Sequence, residues 1–592
     1  MLVLLTAAVA LAAVAVAVAA DGDKKVVLTV GVINDVDTLN PVVGVEVPDY
    51  EVWNIQYATL TDKAAADFAT IPGLAESWKA SNGGKTYTYT LREGLEWSDG
   101  TPLTAEDVAY TINRGRTEEW LNYSSTVASI TASAPDARTV VVTSKVPDPK
   151  LPTMDVYIVP KHIFEKYDAK AVTKYAALDG VGSGPFTLVE LKRGQFWRLK
   201  ANPSYWGGAP KVDEVVFRLF NNSDAMVAAL KKGEIDAAHD VPAQSFESLS
   251  TVDGIVTVQG QQGGFNEIGV NGGRPKSERV EGIGNGHPAL SDIDFRRAIA
   301  HAIDKQTLVD KVYVGLGRPG TTVSPSANPK WLPEVPAAKQ LGFDLAKSKE
   351  ILDAAGYKDT NGDGIRELPD GGKNIVLNYF VRSESQTAAP DAEFVSGWLK
   401  QVGIGTTLKT VNDSKLTEII GKGDYDMFEW GWTPFVDPDP ELSYFTCGQL
   451  SKDVDDPTNY YNDANWCSPS YDADYKAQNV ELDPDKRLEI VQRMLLTMYD
   501  AAVYNVILYE PDLQAYRTDR FTGWLRQPAN TGPVLFSNTS PTYAALTPVA
   551  ASSDGGGGIG TGAIVGIVVV AVVLLGGGAL LVTRRRSADD RE

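Results

Sequence analysis

Few side chains in this sequence are spaced for catalysis. The four histidines, His162, His239, His287 and His301, are scattered along the chain. A zinc centre gathers three or four His, Cys or carboxylate ligands, so multi-histidine metal chemistry is close to excluded. Gly315-Leu316-Gly317-Arg318-Pro319-Gly320 matches G-x-G-x-x-G letter for letter. That string cradles a pyrophosphate only between a strand and a helix. Here it follows a helix-like run and leads into Thr321-Thr322-Val323-Ser324-Pro325, so it reads as a turn. Asp359-Thr360-Asn361-Gly362-Asp363-Gly364 carries the first three oxygens and the turn glycine of a calcium loop. Position twelve is Asp370, not the bidentate Glu, and Asx-rich turns look alike without metal. No H-E-x-x-H, nucleophile elbow or P-loop occurs. Carboxylates are plentiful, so glycosidase-type pairs stay open, but nothing singles out one pair. Neither a metal nor a cofactor is expected.

The elements that would position these groups are those of a mixed α/β body. Thr86-Tyr87-Thr88-Tyr89-Thr90-Leu91, Val140-Val141-Val142 and Val215-Val216-Phe217 are β-branched and aromatic, as pleated surfaces prefer. Thr104 with Asp107 forms a capping box before Val108 and Ile112. Phe295, Ile299, Ala302 and Ile303 make one apolar stripe at helical spacing, with Ser291 as its expected cap. Asp344 opens a run closed by Gly356. Phe394, Trp398, Leu399 and Val402 end at Gly403. Asp483-Pro484 is a cap with proline at the first helical position. These stripes pack a core and receive no chemistry. The chain has 592 residues, room for about four domains. Its 55 Lys and Arg against 76 Asp and Glu leave a net charge of −21, which argues against a nucleic-acid partner.

The two ends predict a topology. Residues 1–20 are uncharged and small or apolar, with Ala17-Val18-Ala19 before Asp21, and read as a signal peptide; a buried or spanning helix is the alternative. A Gly-rich linker covers 546–558. The uncharged stretch 559–583 is long enough to span a bilayer, and Arg584-Arg585-Arg586 would stay cytoplasmic with the tail 584–592. The expected localisation is therefore the cell membrane, single-pass, with the large domain extracellular or periplasmic. Gly558, Gly562 and Gly566 have the small-xxx-small spacing of a weak dimer face, or are only turn and linker residues. Cys447 and Cys467 are an even count in an exported protein, which suggests a disulfide; two free thiols are the alternative.

An ordered set of strings carries a resemblance. They are Asp37-Thr38-Leu39-Asn40-Pro41, Leu74-Ala75-Glu76-Ser77-Trp78 and the run from Leu91 to Val108 containing Trp97-Ser98-Asp99-Gly100-Thr101-Pro102-Leu103. Gly182-Ser183-Gly184-Pro185-Phe186, Asn202-Pro203-Ser204-Tyr205-Trp206-Gly207-Gly208 and Arg296 to Asp304 follow. The last are Tyr425 to Trp432 and Asp483-Pro484-Asp485-Lys486-Arg487. Together they resemble the extracytoplasmic solute-binding proteins, family 5, of peptide-type ABC transporters, from about Val27 to Thr547. The resemblance implies a two-lobed periplasmic-binding-protein-like clamp, type II in its large three-subdomain form, with two crossover strands. Lobe I would take 21–60, 181–265 and 506–545, a small inserted subdomain 61–180, and lobe II 266–505. Its partners would be a peptide or other small solute and permease subunits with cytoplasmic ATPases, and it would not be an enzyme.

The same resemblance nominates ligand-binding residues. Trp432 matches an aromatic wall. Where several members hold a peptide's ammonium with Asp, this chain has Phe435, and Asp437 reaches that place if the loop bulges at Pro434. Glu429 stands where some members use an arginine for a ligand carboxylate, with Arg382 as a substitute. Tyr50 lies in a segment that lines the cleft. Each has a plainer reading: core for Trp432, a rigid turn for Asp437-Pro438-Asp439-Pro440, a surface aromatic for Tyr50 and a solvated strand residue for Glu429. Peptide capture is the leading function. The same fold for an oligosaccharide, metal chelate or cationic solute is the alternative, a tethered sensor is a further one, and an exported hydrolase is a remote one.

Overall fold

Alternation decides the strands. In Thr86–Leu91 the side chains of Tyr87, Tyr89 and Leu91 turn inward while the threonines stay half-buried. This strand pairs antiparallel with Ala75–Ser81 and Thr139–Ser144, and Ile130–Ser133 completes a four-stranded sheet. The computed structural model describes residues 25–549, apart from 45–46, 119, 121–122, 262–263, 273–285, 384, 386, 433–435, 451–461 and 536–540. Phe435, the 1–20 leader, the spanning stretch 559–583, the 584–592 tail, most of the 546–558 linker and Gly558, Gly562 and Gly566 lie outside the described residues. The chain divides into a body ending at Pro548 and a stretch from Val549. Among the described residues, no helix is long and apolar enough to cross a membrane.

Two larger sheets form the rest of the body. The first has seven strands in the order Ile255–Gln261, Pro511–Arg517, Ala237–Ala238, Val27–Val32, Glu214–Leu219, Phe196–Ala201 and Phe186–Lys192. The second has six, in the order Arg318–Pro319, Tyr504–Tyr509, Phe265–Val270, Met427–Trp432, Val376–Arg382 and Gly405–Val411. Phe265–Val270 and Tyr504–Tyr509 are buried at every residue, as central strands covered on both faces must be. The chain leaves the first sheet at Gln261, enters the second at Phe265, and returns between Tyr509 and Pro511. Among the described strands these are the two passages between the large sheets. Glu510 alone separates the strands of the return.

Caps fix where the covering helices start. The Thr104 hydroxyl accepts from the Glu106 amide at 3.3 Å, and Asp107 accepts from the Thr104 amide at 2.9 Å. Asp344 and Asp483 cap Leu345–Ala354 and Pro484–Ala501. Ser291 does not cap its helix. It closes the short turn Pro288–Ser291, and Asp292 caps Ile293–Ala302, its carboxylate accepting from the Asp294 amide at 2.9 Å. A carboxylate is the stronger acceptor for the positive end of a helix. Gly182 and Gly184 seat the helix Val47–Gln56. A Cβ on either would stand 2.2 Å from Gln56 O or 2.4 Å from Ile55 O, so only glycine fits.

The strings that mimic chemical motifs resolve as turns. Gly315 and Gly317 sit at φ 77° and 94° ahead of the short strand Arg318–Pro319. In the calcium-like loop, Asp359 accepts from the amides of Gly362 and Gly364, and Asp363 accepts from the Ile365 amide and the Asn374 side chain. Backbone and side-chain N–H groups already occupy these carboxylates.

Candidate ligand cleft

The ends of the strands that meet at the two passages bring polar side chains together. Asn266, one residue into its strand, donates to Glu510 at 2.6 Å and to the Tyr313 hydroxyl at 3.2 Å. Tyr313 donates onward to Asp391 at 2.6 Å. Both passages are thereby tied by one side-chain chain. Ligands of open α/β sheets bind outside the carboxyl ends of strands, and Arg382 and Trp432 end their strands on the six-stranded sheet.

Arg382 ends the strand Val376–Arg382 and stands 3.4 Å from Glu429, with its guanidinium 4.9 Å from the Trp430 ring centre. Glu429 is fully buried. Burial raises its carboxyl to about 7, outweighing the pull of Arg382, and Glu510 adds to the rise. Asp391 is raised to about 7, by burial first and against the Tyr313 hydrogen bond. Burial also raises Glu510. Glu267 is the extreme case: it is 0% exposed and neither carboxylate oxygen has a hydrogen-bond partner. Burial, then the charges of Asp463 and Glu429, push it far above the carboxylate range. The junction is thus rich in carboxyls that burial raises, with one paired arginine.

Across the passage, in the first sheet's half, His239 faces Glu51 at 3.0 Å, and the Tyr543 hydroxyl donates to the same carboxylate oxygen. Burial alone would lower His239, but Glu51 carries it up to about 9. The imidazolium in turn holds Glu51 below its usual range against its own burial. The helix Val47–Gln56, which carries Glu51, also carries Tyr50. The Tyr50 ring is half-buried, edge-on to Trp53 at 4.9 Å between centres, and burial raises its hydroxyl to about 12.

The structure therefore joins Glu429 to Arg382 directly and sets Trp432 three residues along the same strand. Trp432 is half-buried, its ring centre 5.7 Å from that of Tyr444. Asp437 is held elsewhere, in a two-point pair with Arg487 at 2.7 and 2.7 Å. Burial raises it and Arg487 more than reverses that. Cys447 and Cys467 are disulfide-bonded, bracing the segment that follows the strand. Sequence reasoning does not place Glu267, Asp391 or Glu510 at the site, and it names His239 only as one of four scattered histidines. The available signal is a polar pair, Asn266-Glu267, between Phe265 and Ile268 in a strand-like run. Among the described residues, no group of three or more His, Cys, Asp or Glu is placed to hold a metal.

The arrangement offers donors, acceptors and aromatic faces at a junction with two covalent passages, which suits holding a ligand. Comparison with known proteins agrees. The profile of bacterial extracellular solute-binding proteins, family 5 (middle), matches residues 69–452. Oligopeptide-binding protein AppA of Bacillus subtilis is 26% identical over 438 residues, covering 72% of this chain and 76% of that protein. Among solved structures, the ABC transporter substrate-binding protein CtaP of Listeria monocytogenes superposes with a TM-score of 0.73 at 24% identity, covering 89% of this chain and all of that one. NikZ of Campylobacter jejuni, in complex with Ni(L-His), gives 0.71 at 20% identity, covering 88% and 100%. The two large sheets and their paired passages are accordingly the halves of an α/β clamp, and the chain belongs to the family 5 bacterial extracellular solute-binding proteins, the substrate-binding components of ABC importers rather than enzymes.

Proposed function

We propose that this protein captures di- and oligopeptides outside the cell by closure of its two halves and delivers them unaltered to an ABC permease driven by cytoplasmic ATPases. One observation carries the reading: the large sheets are joined by two passages, and Asn266, Glu510, Tyr313 and Asp391 form a hydrogen-bonded chain there. A ligand that touches both halves favours their closed arrangement, and a permease can read that arrangement. A peptide's amides and ends need such donors and acceptors, with roomy hydrated pockets for its side chains. The relative AppA, an oligopeptide-binding protein by name, supports the peptide assignment. Trp432, Tyr50 and the Glu429–Arg382 pair are proposed as cleft-lining groups, and Phe435 and Asp437, which follow Trp432 in the sequence, as further ligand contacts.

The proposal includes a leash. The apolar stretch 559–583 followed by Arg584-Arg585-Arg586 would hold the body at the outer face of the membrane with the tail inside.

A second reading keeps the role and changes the ligand to a cationic solute or metal chelate. Arg382 already faces Glu429, so the junction offers a ligand carboxylate no unshared arginine from the nominated set. The fold neighbour NikZ was solved with Ni(L-His). A thermal-shift screen with peptide mixtures, amines and chelated metals separates the two. At 100 times Kd a ligand adds about 2.7 kcal/mol of stability. Peptides are expected to raise the unfolding temperature. A shift with amines or chelates and none with any peptide would retire the peptide assignment.

A further inference from the structure

The two halves of the clamp also touch away from the strands that join them. The inserted four-stranded body moves with the seven-stranded sheet, because the helix Val47–Gln56 serves both. Its Trp53 lies in one core with Tyr87, Tyr89 and Trp97 of the inserted body, and its Val52 and Ile55 lie in another with Val30 and Phe217 of the sheet. On the opposite side, Leu442, Tyr471, Val491 and Met494 pack with Phe265 and Val506. The helices Asp439–Tyr444, Pro469–Gln478 and Pro484–Ala501 therefore travel with the six-stranded sheet.

Lys150 crosses between these two units. Its backbone is fixed on the inserted body, where its amide donates to Asp148 at 3.0 Å and its carbonyl accepts from the Thr153 amide at 2.8 Å. Its ammonium donates to the side-chain oxygen of Asn479 and stands 3.4 Å from Asp439. The opposite half holds both acceptors in place. The Asn479 side chain donates to the Tyr475 carbonyl at 3.1 Å, and Gln478 donates to Asp439 at 2.6 Å. A second contact joins the same two units. Leu482 lies against Gly84 of the inserted body so closely that a Cβ there would stand 2.5 Å from its Cδ1. The Gly84 carbonyl accepts from the Asp148 amide at 3.1 Å, which braces the two contacts to each other.

We propose that Lys150 and Leu482 form a latch that holds the clamp shut and sets how long a captured ligand stays. The proposal rests on the closure described above and not on the class of ligand. The inserted body cannot follow the six-stranded half without leaving the helix it shares with the seven-stranded sheet, so opening breaks both contacts. The latch is made to release. Asp148, on the same body as Lys150, stands 3.6 Å from its ammonium, so parting the halves does not strand the charge. A contact made only in the closed state favours that state whether the cleft is empty or filled. Apparent affinity scales with the closed fraction, so every ligand gains by the same factor.

The test is single-molecule energy transfer on the full chain in detergent, with dyes at Lys79→Cys and Lys400→Cys, exposed positions on the two halves. The native cysteines are paired and do not take dye. Without ligand, Lys150→Met is expected to shift the ratio of near to far dye separations toward far by at least about threefold, the scale of one partly exposed ion pair. Leu482→Ala should act in the same direction, and Lys150→Arg should restore most of the near population. Release of tetra-alanine and of tetra-serine should quicken in Lys150→Met by one common factor. A merely structural Lys150 would lower the unfolding midpoint and leave the dye separations unchanged, and that result overturns the latch. Faster release of one peptide alone would make Lys150 a ligand contact and overturn it too. If the separations shift and neither peptide is held, the latch stands and the peptide reading falls.

Discussion

Glu267 sits where a charge is least affordable. Its carboxyl is inaccessible and unpartnered, and Asp463 and Glu429 would repel a negative charge on it. A carboxyl raised in the folded state binds its proton more tightly there than in the unfolded chain. Its contribution to stability is present below the ordinary Glu range and is lost as pH rises through the folded value. Glu429 and Asp391, raised to about 7, act in the same direction. The wild type is expected to be more stable at pH 5 than at pH 8. Glu267→Gln should flatten that slope by up to about 1.4 kcal/mol per pH unit over the range in which Glu267 titrates. Urea unfolding at a series of pH values measures it, and an unchanged slope would show that Glu267 is ionised in the fold. The sequence shows a glutamate within a strand-like run but not its burial. Glu267 and the exposed Glu93 are the same letter, and only tertiary packing separates them. The Glu429–Arg382 contact was equally hidden, since both residues were singled out but as separate ligand groups.

Elements were more legible, because their signals are local. Thr86–Leu91 announces itself by alternation, and Asp344 and Asp483 stand at the helix starts where short polar acceptors are favoured. The miss at Ser291 is local too: two competent caps are adjacent, and Pro288 spends the serine in a turn. Ala237–Ala238 shows the other limit. It is a strand of two residues, fixed by Val27–Val32 on one side and Pro511–Arg517 on the other, and nothing within it predicts that. Beside it, His239 and Glu51 join the end of this inner strand to the helix Val47–Gln56, and Tyr543 joins the short helix Pro541–Ala545 to the same carboxylate. Removing one member of a buried pair strands the other, at about 3–5 kcal/mol. Glu51→Gln is expected to destabilise the body on that scale, as read by the denaturation midpoint. The wild-type pair weakens when pH falls through the lowered Glu51 value or rises through about 9 at His239. The disulfide works at the same scale. Its partners are 20 residues apart, and in the chain-entropy model opening such a loop costs about 3 kcal/mol. The double variant Cys447→Ser, Cys467→Ser should lose roughly that much, and identical midpoints under reducing and oxidising conditions would contradict it.

At the scale of the molecule, the class of fold could be read from motif order, whereas the pairing of distant strands could not. Val27–Val32 lies beside Glu214–Leu219, and Pro511–Arg517 beside Ile255–Gln261, across separations that no local pattern encodes. That long-range pairing ends at Pro548, where the compact body also ends. The division at Pro548 predicts that the proposed leash and the trap are separable. A chain cut after Val549 is expected to give the same ligand-induced thermal shift as the full chain. It should also leave the membrane fraction for the medium. Uptake should then fall although binding is intact, because the proposed tether would hold the cargo near the permease at an effective concentration on the order of millimolar. Fractionation followed by a transport assay reads both outcomes in one strain. A truncated protein that stays with the membranes would place the anchor elsewhere in the chain. One that is released yet transports at the full rate would show that the leash does not serve delivery.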